Sequence, residues 1–373
     1  MNVTKQAVLT AWAVIFSTTV LWGQPNAMVH EGPRYVEAAD LSYGHAIANA
    51  RAILHSHMDE FPGLSVAVGV RGRIVWAEGF GWADIEQRVP VRPSSKFRVG
   101  SVAKPMTAAL LALVYQDGEI DLDAPVQRYV PSFPEKERSI TTRQLAGHVA
   151  GIRHYEKDEM LSSHYYETIL EGLEIFQNDP LLFEPGTQYA YSSYGWNLLS
   201  AVIEGATGKP YLTQMEERVF EPLGMRDTSA DQNRFIVFDR VRPYVVDEDG
   251  RFANAPYVDN SYKWAGGGFV STAEDLVRFG LAHLESDFLE AATLEMLHTS
   301  QKTQDGEETG YGIGWRVGKD EHGRRIIGHG GGSVGGTTTL AIYPEQGLAI
   351  AMITNLSNGP DFHSDDIVEL FLN

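Results

Sequence analysis

Strand-forming runs occupy both ends of this chain and a long helical block separates them. That order constrains the fold more than any other feature. Near the N-terminal side, residues 64–70 and 73–79 are β-rich runs joined by Arg71-Gly72, which reads as a hairpin. Near the C-terminal side, residues 311–317, 325–329, 337–343 and 348–354 read as strands, and a helix over about 365–372 closes the chain. Residues 43–58 form a helix ahead of the first strand, with Ile47, Ala50, Ile53 and Leu54 at helical spacing. In the middle, helical patterns alternate with loops bearing proline and glycine. The clearest are 103–116, 196–204 and 213–220, with 273–283 and 289–298 after them. Terminal strands flanking an internal helical segment predict one sheet assembled from both ends, an α/β class with the helical block inserted. The predicted sheet region is 40–100 plus 263–373, and the helical region 101–262.

Composition narrows the function. Hydrophobic residues at 43% and charged residues at 21% support a sizeable core and exclude global disorder. A net charge of −19 argues against nucleic acid or an anionic membrane as partner. With no cysteine, disulfides, thiolate metal sites and a cysteine nucleophile are excluded.

The first residues are a separate object. Lys5 precedes a mainly apolar run at 7–23, broken by Ser17, Thr18 and Thr19, and 24–27 ends on a small residue. This order of regions predicts a secretory signal over 1–27, with export to a periplasm or secretion; an uncleaved membrane anchor is the alternative.

Three segments carry chemistry. In Ser101-Val102-Ala103-Lys104, helical spacing puts Ser101 near a helix N-terminus and Lys104 on the same face. A serine needs an adjacent proton acceptor to become a nucleophile, and a lysine serves once burial and nearby positive charge lower its pKa. The helix that follows is too apolar for a solvated surface. Tyr189-Ala190-Tyr191-Ser192-Ser193 lies just ahead of another helix, where Tyr191 can relay protons and Ser193 can bond a substrate amide. In the third, His329 ends a β run and Gly330, Gly331 and Gly332 follow; glycine lets another backbone approach a strand closely, and a bare N–H there can serve an oxyanion.

Taken in this order, the three segments resemble the serine β-lactamase and penicillin-recognising superfamily, whose S-x-x-K precedes a second polar motif and a late basic-glycine strand. The tyrosine and histidine versions look like the class C-related branch of D-aminopeptidases, D-peptide carboxypeptidases and esterases. Segments 117–137, 151–158 and 179–186 are similar to mitochondrial β-lactamase-like serine hydrolases and their bacterial relatives. The resemblance implies a β-lactamase-like sandwich, its sheet mainly antiparallel, with 40–373 forming one catalytic domain. It implies Ser101 as acylated nucleophile, Lys104 as proton acceptor, and Tyr191 in the proton network. His329 stands where many relatives carry lysine. Backbone N–H groups of Ser101 and Gly332 would hold the oxyanion, and Ser193, Gly330 and Gly331 would contact substrate.

Two departures from the family pattern matter. Ser193 replaces the usual asparagine, and His329 would titrate near neutrality, so its pull on a substrate carboxylate should weaken above roughly pH 6.5. The implied activity is cofactor-free, metal-free serine acyl hydrolysis of small peptides or esters, with self-association allowed. A weak β-lactamase or D-Ala-D-Ala carboxypeptidase is one alternative, and an inactive binding or assembly scaffold is another.

Other patterns carry less. Gly331-Gly332-Ser333-Val334-Gly335 spells G-x-S-x-G, yet a strand follows where a nucleophile elbow needs a helix. His55 and His57 sit at a helix end with Glu60 in place of a final ligand, which disfavours zinc. Asp121 and Asp123 read as a turn, and residues 247–250 as a hairpin tip. His148 and His154 read as structural.

Overall fold

The computed structural model describes residues 34–360 and 362–372, so the segment read as a signal at 1–27 lies outside the described residues. Strand β1 (Arg34–Ala39) pairs with β3 (Arg73–Asp84), and β3 pairs with β2 (Gly63–Val70). Arg71 and Gly72 join β2 to β3 with φ of 49° and 76°, the doubly left-handed turn whose twist suits flanking strands. From the other end come β4 (Arg316–Lys319), β5 (Arg325–Ser333), β6 (Gly336–Tyr343) and β7 (Leu348–Thr354), each paired antiparallel with the next. The two halves meet where β7 pairs antiparallel with β2, from Leu348↔Val70 to Thr354↔Leu64. The sheet order is therefore β1-β3-β2-β7-β6-β5-β4, and the short strand Val89–Pro90 pairs with β3 beside it.

Strand periodicity divides the core into two layers. On β7, Leu348, Ile350 and Met352 point to one face, with α1 (Gly44–Ser56) and the C-terminal helix supplying Ile47, Leu54, Ile367 and Phe371. Ala349, Ala351 and Ile353 point to the other, joining the core of α2 (Ala103–Gln116), α3 (Ser193–Thr207) and α4 (Ala273–Ala282). Small residues set the spacing there: a β-carbon on Gly280 of α4 would stand 3.1 Å from that of Ala349. Helix α5 (Ser364–Leu372) completes the first layer.

Helix α2 is the centre of the second layer. Eleven of its residues are buried, Lys104 among them, because its apolar side chains face neighbours all round. This is the antiparallel, two-ended sheet with inserted helices that the sequence pattern implies.

Three segments differ from the sequence reading. Residues 311–315 are not strand: Gly314 takes φ 82°, and the strand begins only at Arg316. The helix read at 213–220 is an α-turn at Tyr211–Met215 running into a π-turn at Glu216–Phe220. Strand β1 was not anticipated, because as an outer strand most of its residues are exposed and the alternating apolar signal is missing.

Candidate active site

Ser101 sits in a single 3-10 turn, Gly100–Val102, that runs directly into α2. The turn exists because β5 lies flush against it. Gly100 has φ 51°, and a β-carbon there would meet the Gly332 carbonyl oxygen at 2.6 Å. A β-carbon on Gly331 would lie 2.0 Å from the Val99 oxygen and 3.2 Å from the Ser101 nitrogen. Gly332, by contrast, is exposed and would meet nothing within 4 Å. The glycines after His329 thus bring one strand's backbone alongside the serine.

Lys104 is fully buried, its Nζ 3.0 Å from Ser101 Oγ, 3.0 Å from Ser193 Oγ and 2.7 Å from the Gly266 carbonyl. Burial first, then the charges of Lys263 and Arg316, hold its pKa well below the ordinary lysine value. Nζ is placed to donate to all three oxygens. With its pKa lowered, it can give up one of these protons and turn a lone pair to the Ser101 hydroxyl while still serving Gly266 and Ser193.

The Tyr191–Ser193 segment is fixed by its backbone. Ser192 caps α3, accepting from the Gly195 N–H at 3.0 Å. The Ser192 N–H donates to His148 Nδ1 at 3.0 Å, and the Ser193 N–H to His154 Nδ1 at 3.1 Å. Both histidines must be neutral to accept. Burial, with Lys104 next, pushes His148 well down, and the same two causes lower the more exposed His154 to about 4. His148 also packs its ring 4.3 Å from that of Tyr191, and it takes φ 60° to do so. The Tyr191 ring centroid stands 4.8 Å from Lys104 Nζ, and desolvation keeps it a neutral phenol with a raised pKa that the Ser101 and Ser193 hydroxyls partly offset. Ser193 is itself buried, its hydroxyl engaged by Lys104 and its N–H by His154. It therefore sits inside the proton network, not at an open edge where a substrate amide alone would meet it.

His329 departs most from the sequence reading. It is 3% exposed, its Nδ1 lies 2.6 Å from the Gly330 carbonyl, and its Nε2 3.0 Å from the Tyr311 hydroxyl. Nδ1 carries the hydrogen and Nε2 accepts from the tyrosine. Burial, then the Lys104 charge, lower its pKa to about 3. The anticipated titration near neutrality is corrected accordingly: His329 is neutral throughout the physiological range and exerts no cationic pull.

The structure brings Ser101, Lys104 and Ser193 into one hydrogen-bonded group with the Tyr191 ring beside the lysine, Gly331 along the Ser101 backbone, Gly332 against Gly100 and His329 one layer out. It adds residues the sequence reading passed over. Arg316 is exposed at the start of β4 with its guanidinium 5.8 Å from the Tyr191 ring centroid. Tyr311 holds His329, and Lys263 stands buried just before the Trp264–Gly267 turn whose Gly266 carbonyl receives Lys104. No spacing in the chain marks these three. Only the tyrosine and glycines of Tyr311-Gly312-Ile313-Gly314, an aromatic followed by turn formers, hinted at a loop.

Comparison with known proteins agrees with this geometry. The family described as Beta-lactamase matches residues 50–372. The chain is 34% identical to the human serine beta-lactamase-like protein LACTB, mitochondrial, over 82% of this chain and 73% of that one. Among solved structures, the octameric penicillin-binding protein homologue from Pyrococcus abyssi superposes with a TM-score of 0.74 at 25% identity, covering 89% and 76% of the two chains. The D-amino acid amidase from Ochrobactrum anthropi, solved with D-phenylalanine, superposes with a TM-score of 0.76 at 26% identity, covering 88% and 99%. The expectation of a periplasmic or secreted location is overturned by the mitochondrial relatives. An apolar N-terminal run shows what a translocation machinery can take up and carries no information on the compartment beyond it.

Proposed function

Because this chain belongs to the Beta-lactamase family, whose members similar to it are serine hydrolases, we propose that it cleaves small peptide or ester substrates through an acyl-serine on Ser101. In this reading neutral Lys104 takes the Ser101 proton as Oγ bonds to the substrate carbonyl carbon. The carbonyl oxygen becomes an anion held by the N–H groups of Ser101 and Gly332. The proton moves through the Tyr191 hydroxyl to the leaving amine or alcohol as its bond to carbon breaks. Water then attacks the acyl carbon, giving its proton to the same network, and Ser101 is restored.

One observation carries the reading: a fully buried lysine whose amine lies within hydrogen-bond distance of Ser101 Oγ, Ser193 Oγ and the Gly266 carbonyl. Burying an amine in this way costs stability, and a binding scaffold has no use for it. Peptide amides bearing a D-residue are favoured over esters, since the Ochrobactrum relative is a D-amino acid amidase of the same fold.

The test is intact-protein mass spectrometry after exposure to a fluorophosphonate, with Ser101→Ala alongside. A single adduct that maps to Ser101 and disappears in the variant supports the reading, and D-residue amides, esters and β-lactams are then screened. A folded protein that takes no adduct refutes it.

A further inference from the structure

Apart from the Ser101 group lies a cavity of about 360 Å³ in which every charged side chain of the lining is basic. Lys96, Arg98, Arg240 and Arg242 supply the charges, beside the amides of Asn233 and Asn254, and no member of the Ser101 group lines it. In a chain of net charge −19, a wall of four cations does not follow from composition. Backbone pairing builds it. The Lys96 N–H donates to the Asp239 carbonyl at 2.9 Å and the Val241 N–H to the Lys96 carbonyl at 3.1 Å, which clamps two segments side by side. Basic residues at alternate positions of each segment, 96 and 98, 240 and 242, then line the same space.

The cations are held from behind. Asp231, wholly buried, takes Arg98 Nε at 2.7 Å and Arg240 Nη1 at 2.8 Å, so two guanidinium groups share one carboxylate. Arg98 Nη1 also donates to the Val334 carbonyl at 2.8 Å. Lys96 pairs with Asp227 at 3.0 Å, and Arg242 with Glu86 at 3.1 Å and Asp84 at 3.7 Å, but these acids stand outside the lining. An incoming anion therefore meets cations that are already ordered, which lowers the entropy lost on binding. We propose that this cavity binds a small soluble phosphate monoester. A carboxylate is planar and one guanidinium fork serves both its oxygens, whereas a tetrahedral phosphate dianion accepts from several cations arrayed around it. Val241, Pro256 and the exposed Tyr257 ring add apolar surface for the organic part of the ester. The acidity of the whole chain repels an anionic lipid surface, which favours a free phosphate over a headgroup.

Calorimetric titration of the full chain with phenyl phosphate, at constant ionic strength, tests the site, with phenylacetate as the carboxylate of similar shape. The phosphate should bind saturably and roughly tenfold more tightly than the carboxylate. Arg240→Gln and Arg242→Gln should each weaken it by roughly tenfold. Arg316→Gln, which removes the cation beside the Tyr191 ring, should leave it unchanged. If Arg240→Gln does not fold, Arg242→Gln decides, since that side chain is 36% exposed. No saturation by about 10 mM phenyl phosphate, or equal binding of phenylacetate, overturns the proposal. So does binding that survives in the Arg240 and Arg242 variants, and a loss confined to Arg316→Gln would put the anion in the Ser101 cleft instead.

Discussion

The Tyr311 hydroxyl donates to His329 Nε2 across 3.0 Å, because the other imidazole nitrogen gives its hydrogen to the Gly330 carbonyl, which can only accept. With Nδ1 turned to the Gly330 carbonyl at 2.6 Å, both ring nitrogens are satisfied in the neutral form. Protonation would set Nε2–H against a hydroxyl whose own hydrogen already points at it. Nitrogen-detected NMR should therefore report the Nδ1–H tautomer from pH 8 down to about 4, given a pKa of about 3. A titration centred near pH 6.5 would contradict the assigned pairing. In Tyr311→Phe the ring loses the donor at Nε2, and the Nδ1–H tautomer should persist, because the Gly330 carbonyl still only accepts.

Gly331 and Gly332 are neighbours with opposite tolerances. A β-carbon at Gly331 would overlap the Val99 oxygen at 2.0 Å, and backbone on both sides leaves nothing to rotate away. Gly331→Ala should therefore lose about 1–3 kcal/mol of stability, or push β5 off the Ser101 turn and abolish labelling. Gly332→Ala faces open space and keeps its N–H, so its unfolding midpoint should stay within a few degrees of wild type. Equal thermal midpoints for the two variants would mean that β5 does not lie against the turn.

Legibility in the sequence tracked how far each element's role is local. Helix Ala103–Gln116 and strand Leu348–Thr354 were read to their ends, because a run that is apolar all round has few places to go but the interior. The Arg71-Gly72 turn was legible because its conformation favours a glycine. Ser101 and Lys104 were legible for a similar reason: three residues apart on a helix, they meet without help from the rest of the fold. Tyr311 and His148 were not, since each acts across a tertiary contact. His148 meets the Ser192 N–H 44 residues away, and Tyr311 meets His329 18 residues away. The neutrality of His329 is the sharpest case. Its residue type predicts a titration that burial removes.

Lys104→Arg separates charge from proton acceptance. Arginine puts a permanent positive group at the position, gives up no proton in the working range, and its planar fork cannot reproduce the amine's lone pair toward Ser101. Labelling of Ser101 should fall by about 10²–10⁴-fold. Circular dichroism checks that the fold survives the larger head group. A folded variant labelled at near the wild-type rate would remove Lys104 from the role of base.

Four buried histidines should make the protein acid-sensitive. His148, His283, His298 and His329 are each less than a tenth exposed, and burial lowers all four. For His283 the folded value is about 4, and for His298 and His329 about 3. The unfolded chain takes up protons near pH 6.5 that the folded chain refuses. Stability is therefore full above about pH 6.5 and falls as the pH drops toward 4 and 3, with unfolding coupled to uptake of about three or more protons. Urea unfolding at a series of pH values between 7 and 4 measures that slope directly. The neutral Nδ1 of His148 also anchors the Ser192 N–H, and with burial holding its pKa well below the ordinary imidazole value, Tyr191 and Ser193 should keep their positions for as long as the chain stays folded. A slope of less than one proton would mean that these rings already titrate in the folded state, and the neutral assignments of His148 and His329 would fall with it.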